Sequence, residues 1–237
     1  MKVFVINLDK NVERMSFMKA QLDRLGLVYE RFPAIYGKQL SKEDRKSKFS
    51  AIRSFCAMGV RLTNGEIGCA LSHAMIYRKM MEDNIPFALI LEDDIEIDDC
   101  FCDVIKRAAE FIESIKPQVV LLSSHGCRQK HENDVERITS GMCTDGYLIT
   151  NSAARTLYKA NYPVITVADR WNRWVKYCGL ELYRIWPTVV RQNNNQFGTD
   201  VSTVVRNQMN FFVRLFRKLI RLPEVAIDRI LFILTQR

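Results

Sequence analysis

The hydrophobic positions of the chain fall into short apolar runs that alternate with amphipathic stretches. The runs at residues 3–8, 28–32, 87–91 and 119–123 have the length of buried strands, and none is long enough to span a membrane. Between them, apolar residues recur at helical spacing over 12–25, 67–75 and 101–115. This order predicts an α/β protein whose sheet is flanked by helices.

Turn and capping residues refine this pattern. Ser41 and Asp44 form a weak capping box at the start of a predicted short helix. Residues 125–140 are charged and predict a loop, and residues 141–150 predict a further strand. The helix after that strand, which reaches residue 161, is expected to be capped by Asn151 or Ser152.

The polar loop at residues 191–200 predicts a boundary between a domain at 1–200 and a tail at 201–237. Pro223 divides the tail into two predicted amphipathic helices, the first of which carries a basic face and a broad apolar arc. Such a helix suits an anionic membrane surface. An apolar arc packed on the protein's own domain, with solvated arginines, explains the pattern equally well.

Charge is distributed unevenly along the 237 residues. The chain has a net charge of +8, of which the tail contributes seven basic and two acidic residues. The remaining 200 residues are therefore nearly neutral, which argues against a nucleic-acid partner for the main domain.

The cysteine pattern indicates whether the protein resides in a reducing compartment and whether it could bind zinc. The seven cysteines include no CxxC pair, and the three histidines are scattered along the sequence. We therefore expect reduced thiols, no zinc site and a cytoplasmic protein. The apolar run near the start is too short for a signal peptide.

The most informative stretch begins where the apolar run at 87–91 ends. Glu92, Asp93 and Asp94 follow directly, and three further acids lie within the next five positions. Adjacent carboxylates repel one another and suit Mg²⁺ or Mn²⁺, which bind such groups together with substrate phosphates. A solvated acidic loop would have the same composition. If the strand continued, Asp94 and Glu96 would share a face and could act as the pair instead.

Four segments of the chain, in order, resemble the bacterial glycosyltransferase family 25, the lipopolysaccharide or lipooligosaccharide sugar transferases. They are FVINLDKNVERM at 4–15, NGEIGCALSHAMIY at 64–77, ALILEDDIEI at 88–97 and TDGYLITNSAARTLY at 144–158. The resemblance covers roughly residues 1–195. It departs from the family pattern at 143–147, where Cys-Thr-Asp-Gly-Tyr replaces a block that often carries Gly-Thr.

The resemblance implies a GT-A-like fold with a mostly parallel, Rossmann-type sheet. It also implies an inverting transfer of a hexose, most often galactose, from a UDP-sugar donor. The acceptor would be a terminal sugar of a surface glycolipid or oligosaccharide, which suits a protein peripheral to the inner face of a bacterial cytoplasmic membrane.

Residue roles follow from the same resemblance. Asp93 and Asp94 are the expected ligands of Mn²⁺ or Mg²⁺. Asp169 is the candidate base, beside two tryptophans that could hold the acceptor, although it could equally cap a helix or pair with an arginine. The expected substrate-binding residues are Asn7, Leu8, Arg14, Glu66, His73, Glu92, Tyr147 and Gln192. His73 could instead be a buried structural histidine.

Two other classes of protein share parts of this pattern. A metal-dependent hydrolase of nucleotide-sugars or phosphoesters would use the same acids to activate water. A non-catalytic, membrane-associated subunit of a glycan-assembly complex would need the tail but not the acids.

Overall fold

The structure of the protein is a computed structural model that describes residues 1–113, 115–123, 135–193 and 196–197. Its main sheet has seven strands and a smaller sheet has two. The strands are β1 (Lys2–Asn7), β2 (Glu30–Pro33), β3 (Phe87–Glu92), β4 (Ile95–Ile97), β5 (Gln118–Leu121), β6 (Val135–Ile138), β7 (Gly146–Thr150), β8 (Glu181–Ile185) and β9 (Val190–Gln192). The helices are α1 (Val12–Arg24), α2 (Lys42–Lys48), α3 (Ala51–Met58), α4 (Asn64–Glu82), α5 (Phe101–Phe111), α6 (Asn151–Asn161) and α7 (Trp171–Cys178), with a 3₁₀ turn at Gly37–Gln39.

The main sheet has the strand order β2-β1-β3-β7-β5-β8-β6. The pairs β1–β2, β1–β3 and β5–β8 are parallel, whereas β7 is antiparallel to both of its neighbours and β6 is antiparallel to β8. Five of the seven strands therefore run in one direction. The expected α/β fold with a mostly parallel, Rossmann-like sheet is confirmed.

The main sheet lies between two layers of helices, because side chains alternate between its two faces along each strand. Val3 and Val5 of β1 face one core, while Phe4 and Ile6 face the other. Helices α1 and α5 cover the first face of the sheet. Helices α4, α6 and α7 cover the second, and α4 packs extensively on α6. Because both faces are buried, the central strands contain continuous apolar runs.

Helix α4 is fixed at its start by two features. Thr63 and Glu66 form a reciprocal capping box, with the Glu66 carboxylate accepting from the Thr63 N–H at 2.7 Å. Gly68 lies against the segment that enters the 3₁₀ turn, and a Cβ added there would lie 2.5 Å from the Ile35 carbonyl oxygen and 2.7 Å from the Gly37 nitrogen. The absence of a side chain lets the two backbones meet.

Several predicted boundaries need correction. Residues 135–138, expected in a loop, form the edge strand β6. Strand β7 begins only at Gly146, and helix α5 ends at Phe111 rather than at residue 115. Thr150 caps α6 by accepting from the Ala153 N–H at 3.1 Å, while the Asn151 side chain donates to two backbone carbonyls outside the helix. The Ser41 cap is confirmed.

The tail at 201–237 lies outside the described residues, as do Asn194 and Asn195, so the predicted domain boundary and tail helices stay predictions. Among the helices that the structure describes, none combines the length and apolar character needed to cross a bilayer.

We predict that Gly68→Ala destabilises the protein although alanine favours helices. The added methyl group meets backbone atoms that cannot rotate away, and overpacking of this kind costs about 1–3 kcal/mol, more than the gain of about 1 kcal/mol in helix propensity. Urea unfolding followed by circular dichroism measures the change. Gly26→Ala, where no atom lies within 4 Å of the added Cβ, isolates the cost of a positive φ alone. An unchanged or higher midpoint for Gly68→Ala would contradict the packing argument.

Candidate functional site

The candidate site lies at one edge of the main sheet. Strands β1 and β3 end there with Asn7 and Glu92, and the antiparallel strand β7 begins there, directly after Thr144 and Asp145. The start of α4 faces the same edge. Together these segments enclose a cleft of about 560 Å³. Ligands of open α/β sheets collect at this edge.

Most of the predicted site residues line the cleft. Nine of the eleven do so: Leu8, Arg14, Glu66, His73, Glu92, Asp93, Asp94, Asp169 and Gln192. Asn7 and Tyr147 are buried behind it, where each contacts a residue of the lining. The structure thus brings together side chains from both ends of the first 192 residues.

Asp93 is held by two donors from the first strand and helix. The Asn7 amide donates to Asp93 Oδ2 at 2.6 Å, and Arg14 donates to Asp93 Oδ1 at 3.1 Å. Arg31 orients Asn7 by donating to its side-chain oxygen at 2.8 Å. Burial raises the pKa of Asp93, although the Asn7 hydrogen bond and the Arg14 charge oppose that effect.

Asp94 is less completely satisfied. Arg14 donates to its Oδ2 at 3.2 Å, but its Oδ1 is buried and has no hydrogen-bond partner within the described part of the chain. Burial, followed by the charge of Glu92, raises the pKa of Asp94 to about 7. A buried carboxylate oxygen without a donor is an unsaturated ligand atom, and Asp94 belongs to the lining of the cleft.

Glu92 connects the acidic turn to the other wall. Its Oε1 accepts from the Thr144 hydroxyl and lies 3.4 Å from His73 Nε2. Burial alone would raise the pKa of Glu92, but His73, Thr144 and then Arg14 outweigh burial, and the pKa lies below its usual range. Glu92 is therefore ionised beside a cluster whose other members are harder to ionise.

His73 is almost completely buried, with 1% of its surface exposed. Its Nδ1 is 2.7 Å from the Tyr147 hydroxyl, which in turn lies 2.8 Å from the Tyr77 hydroxyl. This chain of contacts fixes the ring and leaves Nε2 on the side of Glu92. Tyr147, expected to contact substrate, lies behind His73 and orients it.

Asp169 lies on the opposite wall. Its Oδ2 accepts from the Cys143 N–H at 3.2 Å, and α7 begins two residues later with Arg170 in the cap position. Trp171 and Trp174 are buried in the core, with 0% and 2% of their surfaces exposed. The expectation that they hold an acceptor sugar is wrong, because neither face is accessible.

The alternative pairing of Asp94 with Glu96 is also wrong. The chain turns at residues 93–94, and β4 then pairs with β9 in the separate small sheet. Glu96 is exposed opposite Arg191 and does not line the cleft. Glu66 does line it, while one of its carboxylate oxygens is engaged by the capping box.

Sequence reasoning missed several residues of the lining. They are Asn11, Tyr36, Lys38, Cys69, Cys143, Thr144 and Asp145. One signal was available in the sequence. Cys69 is four residues before His73 on a predicted helix and so shares its face. Asp145 directly precedes a buried strand, but its place beside Glu92 requires that this strand be antiparallel, which local sequence does not reveal.

The comparisons with known proteins agree with the resemblance. The sequence profile of glycosyltransferase family 25 (LPS biosynthesis protein) matches residues 1–171. The chain belongs to this family. The match shows the family and not a bacterial lipopolysaccharide substrate, because the chain is also similar to proteins of Anopheles gambiae, Xenopus laevis and Homo sapiens.

Three relatives illustrate the range. A glycosyltransferase 25 family member of Anopheles gambiae is 40% identical over 104 residues, which cover 42% of this chain and 17% of that protein. Procollagen galactosyltransferase 1-B of Xenopus laevis is 28% identical over 172 residues, 67% of this chain and 28% of that protein. The inactive glycosyltransferase 25 family member 3 of Homo sapiens is 27% identical over 158 residues, 62% of this chain and 25% of that protein. The matches thus span less than a third of each relative.

We predict that Asp94→Asn stabilises the metal-free protein at pH 8. The pKa of Asp94 is about 7 in the folded state, against about 3.9 when unfolded, so the folded protein retains a proton that the unfolded chain loses. The contribution of Asp94 to the free energy of unfolding therefore falls as the pH rises from about 4 to about 7. Removing the charge should recover on the order of 2–4 kcal/mol at pH 8 and little near pH 4.

Urea unfolding in the presence of a chelator at several pH values measures this effect. Asp99→Asn is the matched control, because Asp99 belongs to the same acidic stretch but is exposed and pairs only at the surface with Arg24. If the free energy of unfolding has the same pH dependence in wild type and in Asp94→Asn, folding does not raise the pKa of Asp94.

Proposed function

We propose that the protein is an inverting glycosyltransferase that moves a hexose, with galactose as the first candidate, from a UDP-sugar to a glycan acceptor. The observation that carries the proposal is the acidic turn at the end of β3, with Asp94 Oδ1 buried and unpartnered by any described residue at the wall of the cleft. Family membership and the galactosyltransferase name of one relative support the choice of reaction.

The acidic turn fits a hard divalent cation, Mn²⁺ or Mg²⁺. Asp93 and Asp94 offer carboxylate oxygens, which such ions prefer, and Asp94 Oδ1 has no competing donor among the described residues. Bound there, the ion would supply Lewis-acid stabilisation of the charge that develops on a departing diphosphate. Arg14, which reaches both carboxylates, offsets part of their charge when no ion is bound.

The order of the strands supports one orientation of the UDP-sugar in the cleft. Tyr36 and Lys38 follow β2, and Leu8 and Asn11 follow β1, so these residues lie on one side of the acidic turn. They offer an aromatic ring, an apolar side chain, an amide and a positive charge, which suit a base, a ribose and phosphates. The nucleotide would therefore lie towards β2, with its diphosphate at the end of β3.

The other side of the acidic turn suits the sugar and the acceptor. Asp169, with Cys143 and Asp145, lies beyond β3 in the direction of β7. We assign Asp169 as the base that takes the proton of the acceptor hydroxyl. The acceptor oxygen then bonds to the anomeric carbon as the bond from that carbon to the diphosphate breaks, and UDP leaves with the electron pair.

The acceptor in this proposal is a terminal sugar of a glycolipid or oligosaccharide. The description of the family as lipopolysaccharide biosynthesis proteins supports a glycolipid. The basic tail could then hold the protein at an anionic membrane surface, an idea that concerns residues outside the described part of the chain.

We predict metal-dependent release of UDP from one UDP-hexose, abolished by Asp94→Asn. Loss of a carboxylate ligand removes charge stabilisation that is worth several kcal/mol in the transition state, so the rate should fall by at least about 100-fold. A coupled UDP assay over a panel of UDP-sugars, with Mn²⁺, Mg²⁺ or chelator, measures it. Asp99→Asn again controls for a loss of acidic charge outside the cleft.

Each other outcome points to a different class of protein. UDP-sugar cleavage that no acceptor accelerates would favour a hydrolase. No cleavage and no UDP binding by calorimetry would favour a non-catalytic subunit, a role compatible with the inactive human relative. Either result would remove the transferase proposal.

We predict that Asp169→Asn lowers kcat by about 10²–10⁴ while the Kd for UDP stays within about threefold of wild type. The amide retains an oxygen that can accept the Cys143 N–H bond, so the local fold should persist. Steady-state kinetics and calorimetry separate the two quantities. A variant that retains wild-type kcat, or loses UDP binding in proportion, would exclude Asp169 as the base.

A further inference from the structure

A second group of potential ligands lines the cleft beside the acidic turn. Cys69 and His73 lie one turn apart on α4, and Glu92 faces them from the end of β3. One ligand atom from each, namely a sulfur, a ring nitrogen and a carboxylate oxygen, all lie within 4.8 Å of one another. The scattered histidines of the sequence had predicted no zinc site, but helical spacing and one tertiary contact bring a mixed ligand set together.

The histidine is already oriented as a ligand. Its Nδ1 is held by the Tyr147 hydroxyl, which the Tyr77 hydroxyl holds in turn. Its Nε2 is buried and has no hydrogen-bond partner among the described residues, and it lies 3.4 Å from Glu92 Oε1. Histidines that bind metals are typically fixed in this way through their second ring nitrogen.

We propose that Cys69, His73 and Glu92 form a binding site for a divalent transition-metal ion of the Zn²⁺ type, adjacent to the Asp93–Asp94 carboxylates and separate from them. In a tetrahedral zinc site with bonds of about 2.0–2.3 Å, neighbouring ligand atoms lie about 3.3–3.6 Å apart. The 3.4 Å separation of Nε2 from Oε1 already matches this value, and the sulfur, which lies within 4.8 Å of both atoms, needs to approach them by at most about 1.5 Å.

The chemistry of the ligands sets the choice of ion. Thiolate and imidazole prefer zinc, cobalt and similar ions, whereas Mg²⁺ and Mn²⁺ prefer the all-oxygen set offered by Asp93 and Asp94. Three protein ligands leave a fourth position, which opens into the cleft because all three residues line it. That position can take water or an oxygen of a bound molecule.

Ion binding must displace one proton. Burial, with the charge of Glu92, raises the pKa of the Cys69 thiol well above its usual range, so the thiol is protonated in the absence of an ion. The thiolate forms only when the ion binds, and the proton passes to solvent. A test is therefore best made at pH 8, with buffer that does not bind metals.

Titration of the 237-residue protein with Co²⁺, without nucleotide-sugar, tests the site directly. Cys100 and Cys102 are first replaced by serine, because these exposed thiols would contribute a background. We expect saturation near one equivalent, with the near-ultraviolet charge-transfer band of a cobalt thiolate. Cys69→Ser should abolish the band, His73→Gln should weaken Co²⁺ binding by at least about tenfold, and Zn²⁺ should displace Co²⁺.

Two variants provide matched controls. Cys143→Ser removes another cysteine of the same cleft and should leave the band intact. Asp94→Asn should also leave it intact, so the outcome does not depend on the sugar-transfer proposal. The proposal is overturned if the protein with Cys100→Ser and Cys102→Ser gives no band, if the band survives the further change Cys69→Ser, or if Cys143→Ser removes it.

Circular dichroism establishes whether Cys69→Ser folds. If it does not, X-ray absorption of the zinc-loaded protein with intact Cys69 decides the question. One sulfur among the zinc ligands supports the site, and none or more than one overturns it.

Discussion

The structure depends on the concentration of negative charge at the end of its central strand. Glu92, Asp93 and Asp94 leave β3 together, and Asp145 meets them from the start of β7. Such a group is stable in a buried position only if cations or donors surround it. The fold provides Asn7 at the end of β1 and Arg14 in the first turn of α1, so the first strand and helix contribute the donors that compensate the charge at the end of the third strand.

The opposite wall of the cleft, formed by α4, is held in place by packing. The close approach of Gly68 to the 3₁₀ turn fixes α4 against the loop that carries Tyr36 and Lys38. Further along α4, the contacts from Tyr77 through Tyr147 to His73 tie the helix to the middle of the sheet. The cleft thus has one wall set by electrostatics and one set by packing, and a substrate would meet groups whose positions are already determined.

The parts of this arrangement that depend on periodicity could be predicted from local sequence. The apolar run before Glu92, the helix that contains His73, and the placement of Arg14 near a helix start were all predictable because each is decided within about ten residues. The edge strand β6, the pairing of β4 with β9 and the antiparallel direction of β7 were not, because distant partners decide them. For the same reason the burial of Trp171 and the approach of Asp145 to Glu92 escaped prediction. A tryptophan beside a candidate base has the same local sequence whether its ring faces a sugar or the core.

The proximity of two ligand sets has a consequence for both. Glu92 belongs to the Cys69–His73 set, yet after burial its charge is the largest influence that raises the pKa of Asp94. An ion held by Cys69, His73 and Glu92 would neutralise that charge and ease the ionisation of Asp94, which favours a hard cation there. The same ion would also repel a second cation directly, since charges a few ångströms apart in a partly buried site interact by several kcal/mol. An ion on the α4 side would therefore act on the acidic turn in two opposite senses, and Glu92 is the residue that couples the two ligand sets.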